Sequence, residues 1–164
     1  DMIGGGEYTC FLTGNENACT PEMFVRYAQI AALMPVMQFS ASPWRVLPEA
    51  DFQKVKDALA LREKCLPEIL KAVECAKVTG EPIVRSMEFV FPGQGMERVM
   101  DQFMVGDALL VAPVWKQGEV VRSVTLPEGQ WRCVGLGETE GDVLNGGRDV
   151  VLGENDGLVV LRRE

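Results

Sequence analysis

The chain has 164 residues, 47% apolar and 24% charged, which suffices for one ordinary domain or two small ones with a real core. Its formal charge is −8, with 24 acids against 16 bases, and the bases form no stripe, so nucleic acid is not an expected partner. With no histidine at all, a Ser-His-Asp triad, a Cys-His pair and imidazole metal sites are excluded within the chain.

The longest apolar runs, such as FMVG and ALLVAPV, are too short to span a bilayer, and no basic segment leads into an apolar one near residue 1. Neither a membrane partner nor a signal peptide is therefore expected. The five cysteines are odd in number and form no CxxC pair, which favours a reducing compartment, the cytoplasm.

In chain order, the first stretch reads DMIGGG. An acid, two apolar residues and three glycines suit a buried strand that delivers one carboxylate, Asp1, at its end before the chain turns sharply. That order suits the inside of a larger protein. The glycines do not form GxGxxG, so a dinucleotide site is a poor fit. A helix is predicted next, with Thr20 as N-cap, Pro21 at the first position and Glu22 in the first turn. Its apolar stripe is Met23, Phe24, Tyr27, Ala31 and Met34, and Pro35 stops it.

Residues 36–40 read as a short buried strand, followed by Ser-Pro punctuation. Gln38, Ser40, Trp44 and Arg45 then gather an amide, a hydroxyl, an indole and a guanidinium around one loop. Such a set suits a sugar, the indole stacking on a ring face and the polar groups binding hydroxyls. A loop in which Trp44 plugs the fold and Arg45 pairs with an acid fits the pattern equally well. A second helix is expected over 48–78, with Phe52, Val55, Leu59, Cys65, Leu66, Ile69, Leu70 and Val73 on its apolar side. Pro67 should kink or split it, and Gly80 is its exit.

After Gly80 the pattern changes to short strand-like runs: PIVRSMEFVFP, DALLVAPVW, EVVRSVTLP, QWRCVG, DVVLG and GLVVLRR. Gly, Pro, Asn and Asp separate them, as in an antiparallel sandwich. Asp101 and Asp107 raise the idea of paired hydrolytic acids, but their settings suit a cap and a turn better. The expected organisation is α/β followed by all-β, with a boundary between residues 1–79 and 80–164.

Five segments in this order resemble glycoside hydrolase family 31, the α-glucosidase and α-xylosidase superfamily. DMIGGGEY resembles the family's Gly-x-Asp-Ile-Gly-Gly-Phe segment at the end of barrel strand seven. EMFVRYAQIAALMPVMQ resembles its Glu-Leu-x-x-Arg-Trp-x-Gln-x-Gly-Ala-Phe-x-Pro helix, and ALALREKCLPEIL its Leu-Arg-Tyr-x-Leu-Leu-Pro-Tyr helix. GEPIVRSMEFVFP and DQFMVGDALLVAPV match the start of its proximal C-terminal β-domain. Strand eight of the family normally ends in Arg-x-His; MQFSASPWR departs from this and is closer to the myogenesis-regulating glycosidase-like α-galactosidase branch.

The resemblance implies the last strand and helices of a (β/α)8 TIM barrel in residues 1–79 and an antiparallel β-sandwich in 80–164. It implies a retaining α-glycosidase acting on a carbohydrate substrate, α-galactosides before α-glucosides or α-xylosides, with no metal or cofactor. Asp1, Gln38, Ser40, Trp44 and Arg45 would bind the sugar. The catalytic nucleophile and acid/base would lie upstream, on a barrel half that this stretch needs and does not contain. The rival reading is a non-catalytic carbohydrate-binding or assembly module built on a β-sandwich.

Overall fold

The computed structural model describes residues 2–6, 19–119, 121–135, 139–152 and 158–164. Helix α1 (Pro21–Ala32) starts as its capping chemistry dictates. Thr20 is extended and its Oγ1 accepts from the Met23 N–H at 3.2 Å, while Pro21 needs no donor and Glu22 meets the positive end of the helix dipole. The buried side is Phe24, Val25, Ala28, Ala31 and Ala32, whereas Met23 and Tyr27 face outward. The predicted stripe is thus displaced. Alanines at helical spacing let α1 lie close to the next long helix, and the larger Met23 and Tyr27 fall outside that contact.

Residues 36–40, expected as a strand, form among the described residues only a parallel bridge between Ile3 and Phe39. A short helix, α2 (Pro43–Val46), follows where a loop was expected. Helix α3 (Glu49–Thr79) then runs 31 residues without a break, about 46 Å at 1.5 Å per residue. Pro67 does not split it. A proline inside a helix costs about 3 kcal/mol, and Cys65, Ile69 and Ala72 on either side of it are buried in a core shared with the sheet, which offsets that cost. Gly80 ends the helix in the left-handed region (φ 75°), donating to the Ala76 carbonyl at 2.9 Å. The buried face of α3 uses Val55, Ala58, Leu61, Cys65, Ile69 and Ala72, and leaves the expected Leu59, Leu66 and Leu70 exposed.

From there the strands are β1 (Val84–Arg85), β2 (Phe103–Val105), β3 (Leu109–Pro113), β4 (Arg122–Leu126), β5 (Gln130–Cys133), β6 (Val143–Asn145), β7 (Arg148–Leu152) and β8 (Leu158–Arg163). One expected run changes identity. In PIVRSMEFVFP only Val84 and Arg85 are strand, because Ser86 caps a turn of helix, α4 (Met87–Val90), its Oγ accepting from the Phe89 N–H at 3.3 Å. Strand β6 carries too little apolar signal to be read from sequence.

All pairs among these strands are antiparallel. Six strands form one sheet in the order β1-β2-β3-β8-β5-β6, and β4 pairs with β7 in a second. The large sheet is the middle layer of three. Leu109, Val111, Val105 and Val160 point to α3 and the end of α1. Leu110, Ala112, Met104, Val159, Leu161 and Trp131 point the other way, onto Val124 and Leu126 of β4. Both faces of β3 are therefore covered and all five of its residues are buried, which is why it reads as an unbroken apolar run.

Buried charges are paired. Arg85 binds Asp107 at 2.5 Å, Glu81 at 3.1 Å and the Pro82 carbonyl, and Arg122 binds Asp101 at 2.7 Å. Asp107 and Asp101 are thus structural, as their settings suggested. Arg62 of α3 donates to the Ala32, Met34 and Pro35 carbonyls, satisfying the open end of α1. Glu68 of α3 meets Arg162 of β8 at 2.8 Å. Beside it, burial and then the Glu68 carboxylate push the Cys65 thiol up to about 11, so it stays neutral and unreactive. Cys65, Cys75 and Cys133 are thiols that take part in no disulfide. No helix among the described residues is long and apolar enough to cross a membrane, and no group of three or more His, Cys, Asp or Glu there is placed to hold a metal.

Candidate functional site

The loop that holds Gln38, Ser40, Trp44 and Arg45 is fixed by main-chain bonds to the first described residues. The Ile3 N–H donates to the Gln38 carbonyl at 3.1 Å, and the Ser40 N–H donates to the Ile3 carbonyl at 2.8 Å. Ser40 Oγ accepts from the Met2 N–H at 3.0 Å. Ile3 is wholly buried beside Phe24, Val25 and Val55, so the edge is anchored from below while its polar groups stay at the surface.

Turning away after Ile3 requires glycine. Gly4 has φ 70°, and a Cβ there would stand 2.6 Å from Phe24 and 2.9 Å from Ala41. The Phe24 and Phe39 rings stack beside this turn, 6.3 Å apart with a 19° interplanar angle. Gly4 therefore serves a close approach, and its large neighbour is the first aromatic ring of α1.

Four of the five candidate residues, Gln38, Ser40, Trp44 and Arg45, lie within one eight-residue stretch, and all four are exposed. Asp1 lies outside the described residues. Trp44 is 67% exposed and sits on α2, where Pro43 starts the helix and is itself buried. An exposed indole on a helical turn can stack on an apolar ring face, while an amide, a hydroxyl and a guanidinium near it in the sequence can hydrogen-bond hydroxyl groups. Within the described residues Trp44 is not covered by other parts of the fold.

A concavity away from that edge was not legible in the sequence. A cleft of about 290 Å³ lies between the starts of α1 and α3 and the 114–119 segment, lined by Glu22, Val25, Arg26, Asp51, Lys54, Gly118 and Glu119. The Gly118 N–H, then the Arg26 guanidinium, hold the Glu22 carboxyl below the usual carboxylate range. The only local sign of this was the four-residue spacing of Glu22 and Arg26; their partner segment is some ninety residues away.

Residues 80–152 match the glycosyl hydrolase family 31 C-terminal domain. The chain is 38% identical to the myogenesis-regulating glycosidase of Mus musculus over 135 residues, 80% of this chain and 19% of that protein. It is 30% identical to an alpha-glucosidase of Saccharolobus solfataricus over 148 residues, 86% of this chain and 20% of the other. Among solved structures, a GH31 alpha-xylosidase from a soil metagenome complexed with xylose superposes with a TM-score of 0.75 at 28% identity, over 88% of this chain and 25% of that one. The cycloalternan-forming enzyme from Listeria monocytogenes in complex with a pentasaccharide gives 0.79 at 28% identity, over 88% and 15%. The chain thus spans about a fifth of the length of these curated relatives. With this sequence kinship, and with helices packed on an antiparallel sheet as in these enzymes, the chain belongs to glycosyl hydrolase family 31, residues 80–152 matching the C-terminal domain of that family.

Proposed function

We propose that this chain is the sugar-binding rim and β-domain of a retaining α-glycosidase whose nucleophile and acid/base lie on residues outside these 164. In this reading residues 1–79 are the end of a (β/α)8 barrel and 80–164 the proximal β-sandwich domain. The observation that carries it is the bridge between Ile3 and Phe39. It is parallel where every named strand pair is antiparallel, and the segment between its two halves includes helix α1, the connection that adjacent parallel strands require. Ile3 and Phe39 are then tips of neighbouring barrel strands, and the loop after Phe39 stands on the face where barrel enzymes bind substrate.

The chemistry divides accordingly. One carboxylate attacks the anomeric carbon while the other protonates the leaving oxygen, and water then releases the glycosyl-enzyme. Trp44 stacks on the sugar, Gln38, Ser40 and Arg45 bind its hydroxyls, and Asp1 is a further sugar-binding acid. The preferred substrate is an α-galactoside. It differs from an α-glucoside only in the direction of the 4-hydroxyl, and a buried donor left without its partner costs roughly 1–3 kcal/mol, about ten- to a hundredfold in specificity.

The test is kcat/KM of the full-length protein on paired aryl α-galactoside and α-glucoside substrates, with Trp44→Ala and Arg45→Ala beside the wild type. The galactoside is expected to win by at least tenfold, and each substitution to cost about tenfold or more. A clear preference for the glucoside ends the galactoside assignment. Rates untouched by both substitutions mean that this edge does not bind the substrate.

A further inference from the structure

Glu22 and Arg26 bind a segment of the sheet region more tightly than an exposed helix pair normally would. Arg26 donates from Nε and Nη2 to Glu22 Oε1 (3.0 and 2.8 Å), from Nη1 to the Val114 carbonyl (3.0 Å) and from Nη2 to the Glu119 carbonyl (2.6 Å). Glu22 Oε1 also accepts from the Gly118 N–H at 2.8 Å. Every bond from this pair to the 114–119 segment goes to its main chain. The segment is thus a strap whose path is fixed at both ends, with Gly118 in the left-handed region (φ 76°) to make the turn between. The planar fork of arginine serves one carboxylate and two carbonyls at once, which the point charge of lysine does not reproduce.

Phe24 leaves the same two turns of α1 from another side. Its ring touches the Gly4 turn so closely that no Cβ fits there, and it stacks on Phe39. Ile3, Phe39 and Ser40 form the edge that carries the Gln38–Arg45 loop. Helix α1 therefore links the strap, held by Glu22 and Arg26, to the edge packed on Phe24. Close packing leaves it little slack, so a small drift of α1 is felt at Ile3 and Phe39.

We propose that Glu22 and Arg26 are positioning residues: through them the strap at 114–119 fixes the edge formed by Ile3, Phe39 and Ser40, and with it the Trp44–Arg45 loop, for sugar binding. This rests on the sugar-binding reading of that edge. Neither residue touches substrate; both act through Phe24.

The experiment compares Arg26→Ala, Arg26→Lys and Glu22→Gln in the full-length protein with Asp101→Asn. The last breaks the Arg122 ion pair within the sheet region, away from the strap. Two readouts are taken: hydrogen exchange at the Ile3 and Ser40 amides, which report the edge directly, and KM against kcat on an aryl α-glycoside. Arg26→Ala is expected to speed exchange at both amides at least tenfold and to raise KM at least fivefold, with kcat changed less than twofold. Glu22→Gln still accepts hydrogen bonds and should keep most of the wild-type behaviour, and Arg26→Lys should recover part of it. Asp101→Asn should move neither readout more than twofold, whatever it does to Tm.

Unchanged exchange in Arg26→Ala overturns the proposal, as does an equal change in Asp101→Asn, for the pair is then only a fastener. Faster exchange with an unchanged KM overturns it too. A wild type that turns over no α-glycoside refutes the sugar reading instead, and the exchange comparison still decides whether strap and edge are coupled.

Discussion

Residues 36–40 and 109–113 both read as short strands next to turn signals, and they end in different states. Leu109–Pro113 has hydrogen-bonded neighbours on both sides, β2 and β8, and core on both faces. Among the described residues, 36–40 form one bridge, to Ile3, and Val36 is 67% exposed. A run of this kind becomes strand when partners surround it. Its residues set only how readily it accepts them.

The same truncation in the two runs should give very different results. Leu110→Ala opens a cavity between the sheets and should cost about 3 kcal/mol in urea unfolding. Val36→Ala removes a surface side chain and should stay within about 0.5 kcal/mol. Similar losses would mean that residues 36–40 are packed in solution.

Native-state hydrogen exchange sharpens the contrast without mutation. Amides of Leu110 and Ala112 should exchange at least a hundredfold more slowly than those of Val36 and Met37, because the former open only with the sheet. Equal protection would make the two regions one cooperative unit.

The smallest expected effect concerns the contact that joins the regions. The Glu22 pKa is lowered in the fold by the Gly118 N–H and Arg26. Its contribution is therefore complete above the ordinary value of 4.5 and is lost as pH falls through the lowered one. The Tm gap between wild type and Glu22→Gln should be constant from neutral pH down to about 5 and close below 4.5. A gap that widens on acidification would contradict the bonding described.

What was legible in the sequence was local. Thr20, Pro21 and Gly80 mark helix ends because capping depends on a few adjacent residues, and the β7 and β8 runs could be read because each is a short apolar stretch between turns. Pro67 misled because its penalty is local while the burial that offsets it comes from the sheet. Ser86 was passed over because a four-residue helix such as α4 has no room for a period. At the site, the residue types in 38–45 could be named, and so could the need for glycine after Ile3. The pairing of Ile3 with Phe39 followed only from the resemblance that sets their stretches on neighbouring strands, and the strap at 114–119 did not follow at all, since it joins distant segments.

The edges of the six-stranded sheet bear on how the protein behaves when crowded. Its longest strands, β3 and β8, lie inside, while the outermost are two residues (β1) and three residues (β6) long. A neighbouring chain that tries to extend the sheet finds two or three positions of open backbone before the strand gives way to α4 on one side or to the Gly146–Gly147 turn on the other. So short a template gives little purchase for intermolecular strand growth. The route to fibrous aggregates through this sheet therefore begins with partial unfolding, and its rate should follow the lifetime of the folded core.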